Sequence, residues 1–207
     1  MVDGDFLLCR SKLTFDSFRK YPFRFIIQVG SLLEKFVKCS FGSLAYILKL
    51  QKPRWNWNEP YEHVAQYLNG YIREASGKRG VVKTISSEWF KTRYPFVTID
   101  IRTPVLPFTQ NELDRMTFSW ESELGQKYNF LEAPLAVLGF LIPKKFRKKS
   151  TSRSKFCSQI AVQKLQLIGR MPKDIIAKYV SPMEYDVYLG VLGFKKIDNL
   201  DWKNERW

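Results

Sequence analysis

The segment His63-Val-Ala-Gln-Tyr-Leu68, followed by Asn69-Gly70 and then Tyr71-Ile-Arg-Glu-Ala75, constrains this chain more than any other stretch. Asn-Gly between two runs of strand-forming residues predicts a β-hairpin closed by a type I′ turn, because both turn positions need positive φ. A two-residue loop also sets the register. Leu68 should face Tyr71, Ala65 should face Glu74, and His63 should face Ser76. Side chains alternate between faces, so His63, Ala65 and Tyr67 share one face with Ile72, Glu74 and Ser76. His63 and Glu74 become diagonal neighbours, with α-carbons roughly 7–8 Å apart and side chains long enough to meet. A carboxylate there can fix the imidazole tautomer and stabilise its cation. A lone His at a strand start is, equally, a common packed or surface residue.

Other elements follow from local signals. Phe6 to Arg10 reads as a short strand, and further strands are expected near Gly80 to Ser86 and Phe96 to Thr103. Helical spacing of Val29, Leu32, Leu33, Phe36 and Val37 predicts helices within 14–50, followed by a loop over 52–60. Thr109-Gln-Asn-Glu112 is a capping box, opening a helix whose apolar face is Leu113, Met116, Trp120 and Leu124, with Gly125 as its C-cap. A second helix is expected from about Phe156 to Ile168, ending at Gly169. Ser181-Pro182-Met-Glu184 opens another, and Val187 to Ile197 is read as a closing strand. The sum is an α+β fold, an antiparallel sheet with packed helices, in a single domain over 1–207 carrying a helical insertion at about 14–58.

Cys157 stands out among three cysteines. It falls in the first turn of its predicted helix, where unpaired N–H groups favour a thiolate, and Arg153 and Lys155 precede it. Its own N–H is a ready oxyanion donor. Packing among Phe156, Ile160 and Leu167 is the plainer alternative. Cys9 and Cys39 look like packing residues, and Ser158 lacks the surroundings of a nucleophile elbow. One His and no C-x-x-C remove the usual zinc patterns, so neither metal nor cofactor is expected.

The 34 Lys and Arg against 20 Asp and Glu give a net charge of +14, a field that attracts anionic partners. Without a zinc-finger or aromatic RNA-binding signature, nucleic acid is not expected as a specific ligand. The run Lys144, Lys145, Arg147, Lys148, Lys149, continuing to Lys155, reads first as a solvated loop. Its functional reading is a lip for an anionic glycopolymer or, with apolar 135–142 beside it, a membrane surface. No basic-apolar leader and no membrane-spanning stretch is visible, so a soluble protein is expected, cytoplasmic or virion-associated.

Five motifs in order resemble a known family. Gly4-Asp5 with an apolar strand, Glu62-His63-Val64, Arg73-Glu74-Ala75, Gly125-Gln-Lys-Tyr128-Asn129-Phe130, and Phe156-Cys157-Ser158 with Ser181-Pro182 downstream are similar to the circularly permuted NlpC-type papain-like hydrolases, the YiiX/YebB-like group. Asn129 stands where that family often has Asp, and Gln159 where it often has Glu. The resemblance implies a permuted papain-like fold, with Cys157 as nucleophile, His63 as base and Glu74 as orienting residue; Asp5 and Tyr128 receive structural roles. It further implies a cysteine hydrolase cleaving an amide, as in cell-wall peptides, through a thioester. Lipid ester or amide hydrolysis, or acyl transfer, is the alternative chemistry. A non-catalytic interaction protein with partners in a phage particle is the alternative of a different class.

Overall fold

The computed structural model of the chain describes residues 1–10, 61, 63–77, 79–93, 98–133, 136 and 154–197. The expected helices and loop within 14–60, Cys39, and the basic run from Lys144 to Lys149 lie outside the described residues.

Six strands form one antiparallel sheet in the order β4-β3-β2-β1-β5-β6. The strands are β1 Phe6–Arg10, β2 His63–Leu68, β3 Tyr71–Ser76, β4 Gly80–Ile85, β5 Thr98–Pro104 and β6 Phe194–Ile197. The β2–β3 hairpin has the register dictated by its turn: Leu68 opposite Tyr71 and Ala65 opposite Glu74. Asn69 and Gly70 both take positive φ, 52° and 79°, as a type I′ turn requires. The paired residues of this ladder stop at Ala65 and Glu74, so the expected His63–Ser76 pair is not part of it.

Among the described residues four helices flank the sheet: α1 Ser86–Arg93, α2 Gln110–Glu121, α3 Cys157–Leu167 and α4 Pro182–Val191. Both sheet faces are covered, which explains why Phe6, Leu7, Leu8 and Cys9 are all buried although neighbours point to opposite sides. On one face Phe6, Leu8, Val64, Leu68 and Val81 pack with Met116 and Trp120 of α2, with Ile160 and Leu165 of α3, and with Tyr185 and Leu189 of α4. On the other, Leu7, Cys9, Ala65, Ile72 and Ile99 pack with Trp89 and Phe90 of α1. Helix α1 was not expected from its sequence; its indole and phenyl rings meet edge to face at 5.2 Å under the sheet.

Two expected boundaries are corrected. Helix α2 ends at Glu121 with Ser122 as its C-cap, not at Gly125. Successive turns follow, and Gly125 (φ 79°) instead brings the chain onto β4, where its N–H donates to the Val81 carbonyl at 2.9 Å. The segment from Val187 is not strand throughout: α4 runs through Val191, Gly193 reverses the chain at φ 81°, and only Phe194–Ile197 pairs with β5. The capping signals hold locally. Thr109 and Glu112 bond reciprocally at the start of α2, and the Ser181 hydroxyl accepts the Glu184 N–H at α4.

Candidate active site

The β2–β3 register places His63 and Glu74 on one face, and their side chains meet. His63 Nε2 lies 2.6 Å from Glu74 Oε2. Glu74 is fully buried and His63 is 13% exposed, so the contact is screened from water. The second carboxylate oxygen accepts from the Arg79 guanidinium at 3.1 Å, from the turn that joins β3 to β4. Nothing in the sequence around Arg79 marks it as a partner of Glu74. Its position is five residues beyond Glu74, across a reversal that spacing alone does not resolve.

Helix α3 delivers Cys157 to the same place. Its thiol, 2% exposed, lies at the open end of the β2–β3 ladder. It accepts hydrogen bonds from the Val64 N–H and from the Ser158 N–H in the helix's first turn, and it bonds His63. Because Nε2 is engaged by Glu74, Nδ1 is the ring nitrogen left for the sulfur. Burial pushes the Cys157 thiol up, but the His63 charge and the three hydrogen bonds outweigh it, and the net shift is downward. Burial likewise pushes His63 down, while the sulfur and the Glu74 carboxylate lift it to about 9. Both shifts favour the thiolate–imidazolium pair over the neutral one.

Of the two cations expected to activate the thiol, Lys155 is directed elsewhere. Lys155 extends to Glu123 Oε1 at 2.8 Å, a carboxylate it shares with the buried Lys164 at 2.9 Å. Arg153 lies outside the described residues. Among the described residues, the charge that lowers the thiol is that of His63.

Tyr128, read from sequence as structural, has its hydroxyl at the sulfur. It hydrogen-bonds the Cys157 thiol, and its oxygen accepts the Cys157 N–H. A short parallel bridge between Tyr128 and Lys155 brings this segment beside the entry to α3. A tyrosine in a Gly-x-x-Tyr motif offers the only sequence hint of that placement, and it points to no partner. Asp5 keeps a structural role, accepting the Val2 N–H at 2.8 Å. Ser158 is excluded as a rival nucleophile, since its hydroxyl is buried and donates to the Val180 carbonyl at 2.7 Å.

The site is thus a buried thiol, an imidazole, a carboxylate and a phenol in contact, on three separate chain segments. Among the described residues no cluster of three or more His, Cys, Asp or Glu side chains is arranged to hold a metal ion. No described helix is long and apolar enough to cross a membrane. Comparison with protein-family models, with curated proteins and with solved structures finds no match.

Proposed function

We propose that the chain is a cysteine hydrolase of amide bonds with a circularly permuted papain-like arrangement, acting through a thioester. The observation that carries this reading is the line Cys157–His63–Glu74, with the thiol at a helix start and the imidazole held by a buried carboxylate. The family resemblance stated above directs the first substrates to cell-wall peptide amides.

The chemistry follows from the contacts. The Cys157 thiolate attacks the amide carbonyl carbon, forming a C–S bond and moving charge onto the carbonyl oxygen. That oxygen displaces the Tyr128 oxygen as acceptor of the Cys157 N–H, which frees the Tyr128 O–H to donate to it as well. His63 gives its proton to the departing amine as the C–N bond breaks. In the second half, neutral His63 takes a proton from water, hydroxide attacks the thioester, and the acid leaves as the thiolate reforms. Glu74 keeps the imidazole oriented and its cation favourable throughout.

Alkylation tests the reading without a known substrate. Iodoacetamide should label Cys157 selectively well below the ordinary thiol pKa of about 8.5. His63→Ala, checked for folding by circular dichroism, should slow that labelling. If Cys157 reacts no faster than Cys9 and Cys39 in the folded protein, the catalytic reading falls and the interaction-protein alternative replaces it.

A further inference from the structure

Helix α3 carries a second feature that the thiol chemistry does not use. Gln159, Gln163 and Gln166 recur at helical spacing and line a cavity of about 510 Å³ on the flank of the helix. Neither Cys157 nor His63 lines it. Its size falls within the range of small-molecule sites, roughly 300–1,000 Å³.

Three cations from three elements converge there: Arg115 of α2, Lys173 of the loop after α3, and Lys178 of the 3₁₀ turn Ala177–Tyr179. Among the described residues no carboxylate lines the cavity, although Asp114 and Asp174 are chain neighbours of two of these cations. Arg115 gives one N–H to the Leu167 carbonyl, which fixes it at the rim. Lys178 is only 11% exposed, and its nearest carboxylate, Glu132, is 3.9 Å away, beyond a hydrogen bond. Lys173 is exposed and has no ion pair among the described residues. The Lys178 ammonium also lies over the Tyr179 ring at 5.2 Å, and an ion pair this long leaves its N–H donors for an anion to take.

The glutamines divide the remaining work. Gln166 Nε2 donates to the Pro172 and Ile175 carbonyls, both at 2.8 Å, and so holds the loop that forms one wall. Gln159 Oε1 accepts the Phe156 N–H at the helix start. Gln163 Oε1 is buried and has no hydrogen-bond partner among the described residues, so this side chain adds its aliphatic stem to the wall. Leu167 and Ile175 add apolar wall beside the charges.

We propose that this cavity binds a phosphomonoester. Its dianionic head sits among Arg115, Lys173 and Lys178, and its carbon skeleton lies on Leu167 and Ile175. Three cations suit a dianion better than the single charge of a carboxylate, and Arg supplies forked donors that match phosphate oxygens. The site stands on this cavity alone and does not depend on Cys157 being a nucleophile.

The test is a titration of the full chain with glycerol 3-phosphate, followed by calorimetry and by thermal shift, at constant ionic strength set with chloride. Saturable binding is expected, with no response to acetate. Lys173→Gln with Lys178→Gln should weaken it at least tenfold; Lys173→Gln alone, at an exposed side chain, keeps the test open should the double variant misfold. A second arm sediments the protein with phosphatidylcholine vesicles containing phosphatidate. Binding there but not in solution assigns the site to a lipid headgroup, provided the same variants abolish it, and binding in solution assigns it to a free metabolite. Absence of saturable binding in both arms, or binding unchanged in the variants, overturns the proposal.

Discussion

Glu74 is the residue on which the site turns, because it is wholly buried and faces two cations at once, His63 at 2.6 Å and Arg79 at 3.1 Å. The two should act on the imidazole with opposite sign. The carboxylate helps raise His63 to about 9, so its proton is lost only on the alkaline side. In the proposed hydrolysis the imidazolium is the acid for the leaving amine, and the rate should therefore fall as pH rises through about 9. Glu74→Gln removes the charge that holds that proton, and the alkaline limb should move down. The maximal rate should fall about tenfold or more, within the range positioned acid–base groups contribute. Arg79→Gln leaves the His63–Glu74 contact and removes a competing cation, so the limb should move up with a smaller loss of rate. Rate–pH profiles of the three proteins on one amide substrate decide this. Limbs shifted the same way in both variants would mean that Arg79 is only a surface partner.

At the scale of elements, α2 and α3 are joined by a contact whose parts are local. Thr109 and Glu112 cap α2, and Arg170, just past the Gly169 reversal that ends α3, clasps Glu112 with Nε and a terminal nitrogen at 2.6 and 2.8 Å. It also donates to the Leu106 and Pro107 carbonyls. The Arg170 guanidinium holds the Glu112 carboxyl down at about 2. Thr109→Ala should cost about 1 kcal/mol, as a lost cap does. Arg170→Ala should cost about 2 kcal/mol, since its bonds go to a charged group. A depressed carboxyl stabilises above its unfolded value of about 4.5, and that contribution drains as pH falls towards about 2. Urea unfolding at pH 7 and pH 2.5 should show the Arg170→Ala penalty largely gone in acid. The caps, the Asn69-Gly70 turn and the hairpin register were all legible in the sequence because each is settled within a few residues. Helix α1 was not, since Trp89 and Phe90 take their places from the sheet above them rather than from any periodicity in Ser86–Arg93. The Tyr128 hydroxyl and the diversion of Lys155 to Glu123 were hidden for the same reason: both depend on where α3 docks.

For the molecule as a whole, the site exists only where three distant segments meet, and the turn from β3 to β4 holds two of them together. It carries Arg79 towards Glu74 and, at the next residue, seats the segment that brings Tyr128 to the thiol. The Val81 N–H donates to the Gln126 carbonyl at 2.8 Å, and the Gly125 N–H returns to the Val81 carbonyl at 2.9 Å. Gly80 makes that approach feasible. It has φ 71°, and a Cβ there would overlap the Gln126 carbonyl oxygen, which is backbone and unable to swing aside. Gly193 supplies the control, with φ 81° and open space around the position of a Cβ. Gly193→Ala should therefore show backbone strain alone, about 1 kcal/mol. Gly80→Ala should lose at least about 2 kcal/mol, as strain and overlap combine. It should also slow alkylation of Cys157, because displacing Gln126 moves the Tyr128 hydroxyl from the sulfur. Urea unfolding and iodoacetamide rates on both variants separate the two effects. If both proteins lose the same stability and keep wild-type thiol reactivity, the turn is not what seats Tyr128, and the docking of α3 through the Tyr128–Lys155 bridge must hold it instead.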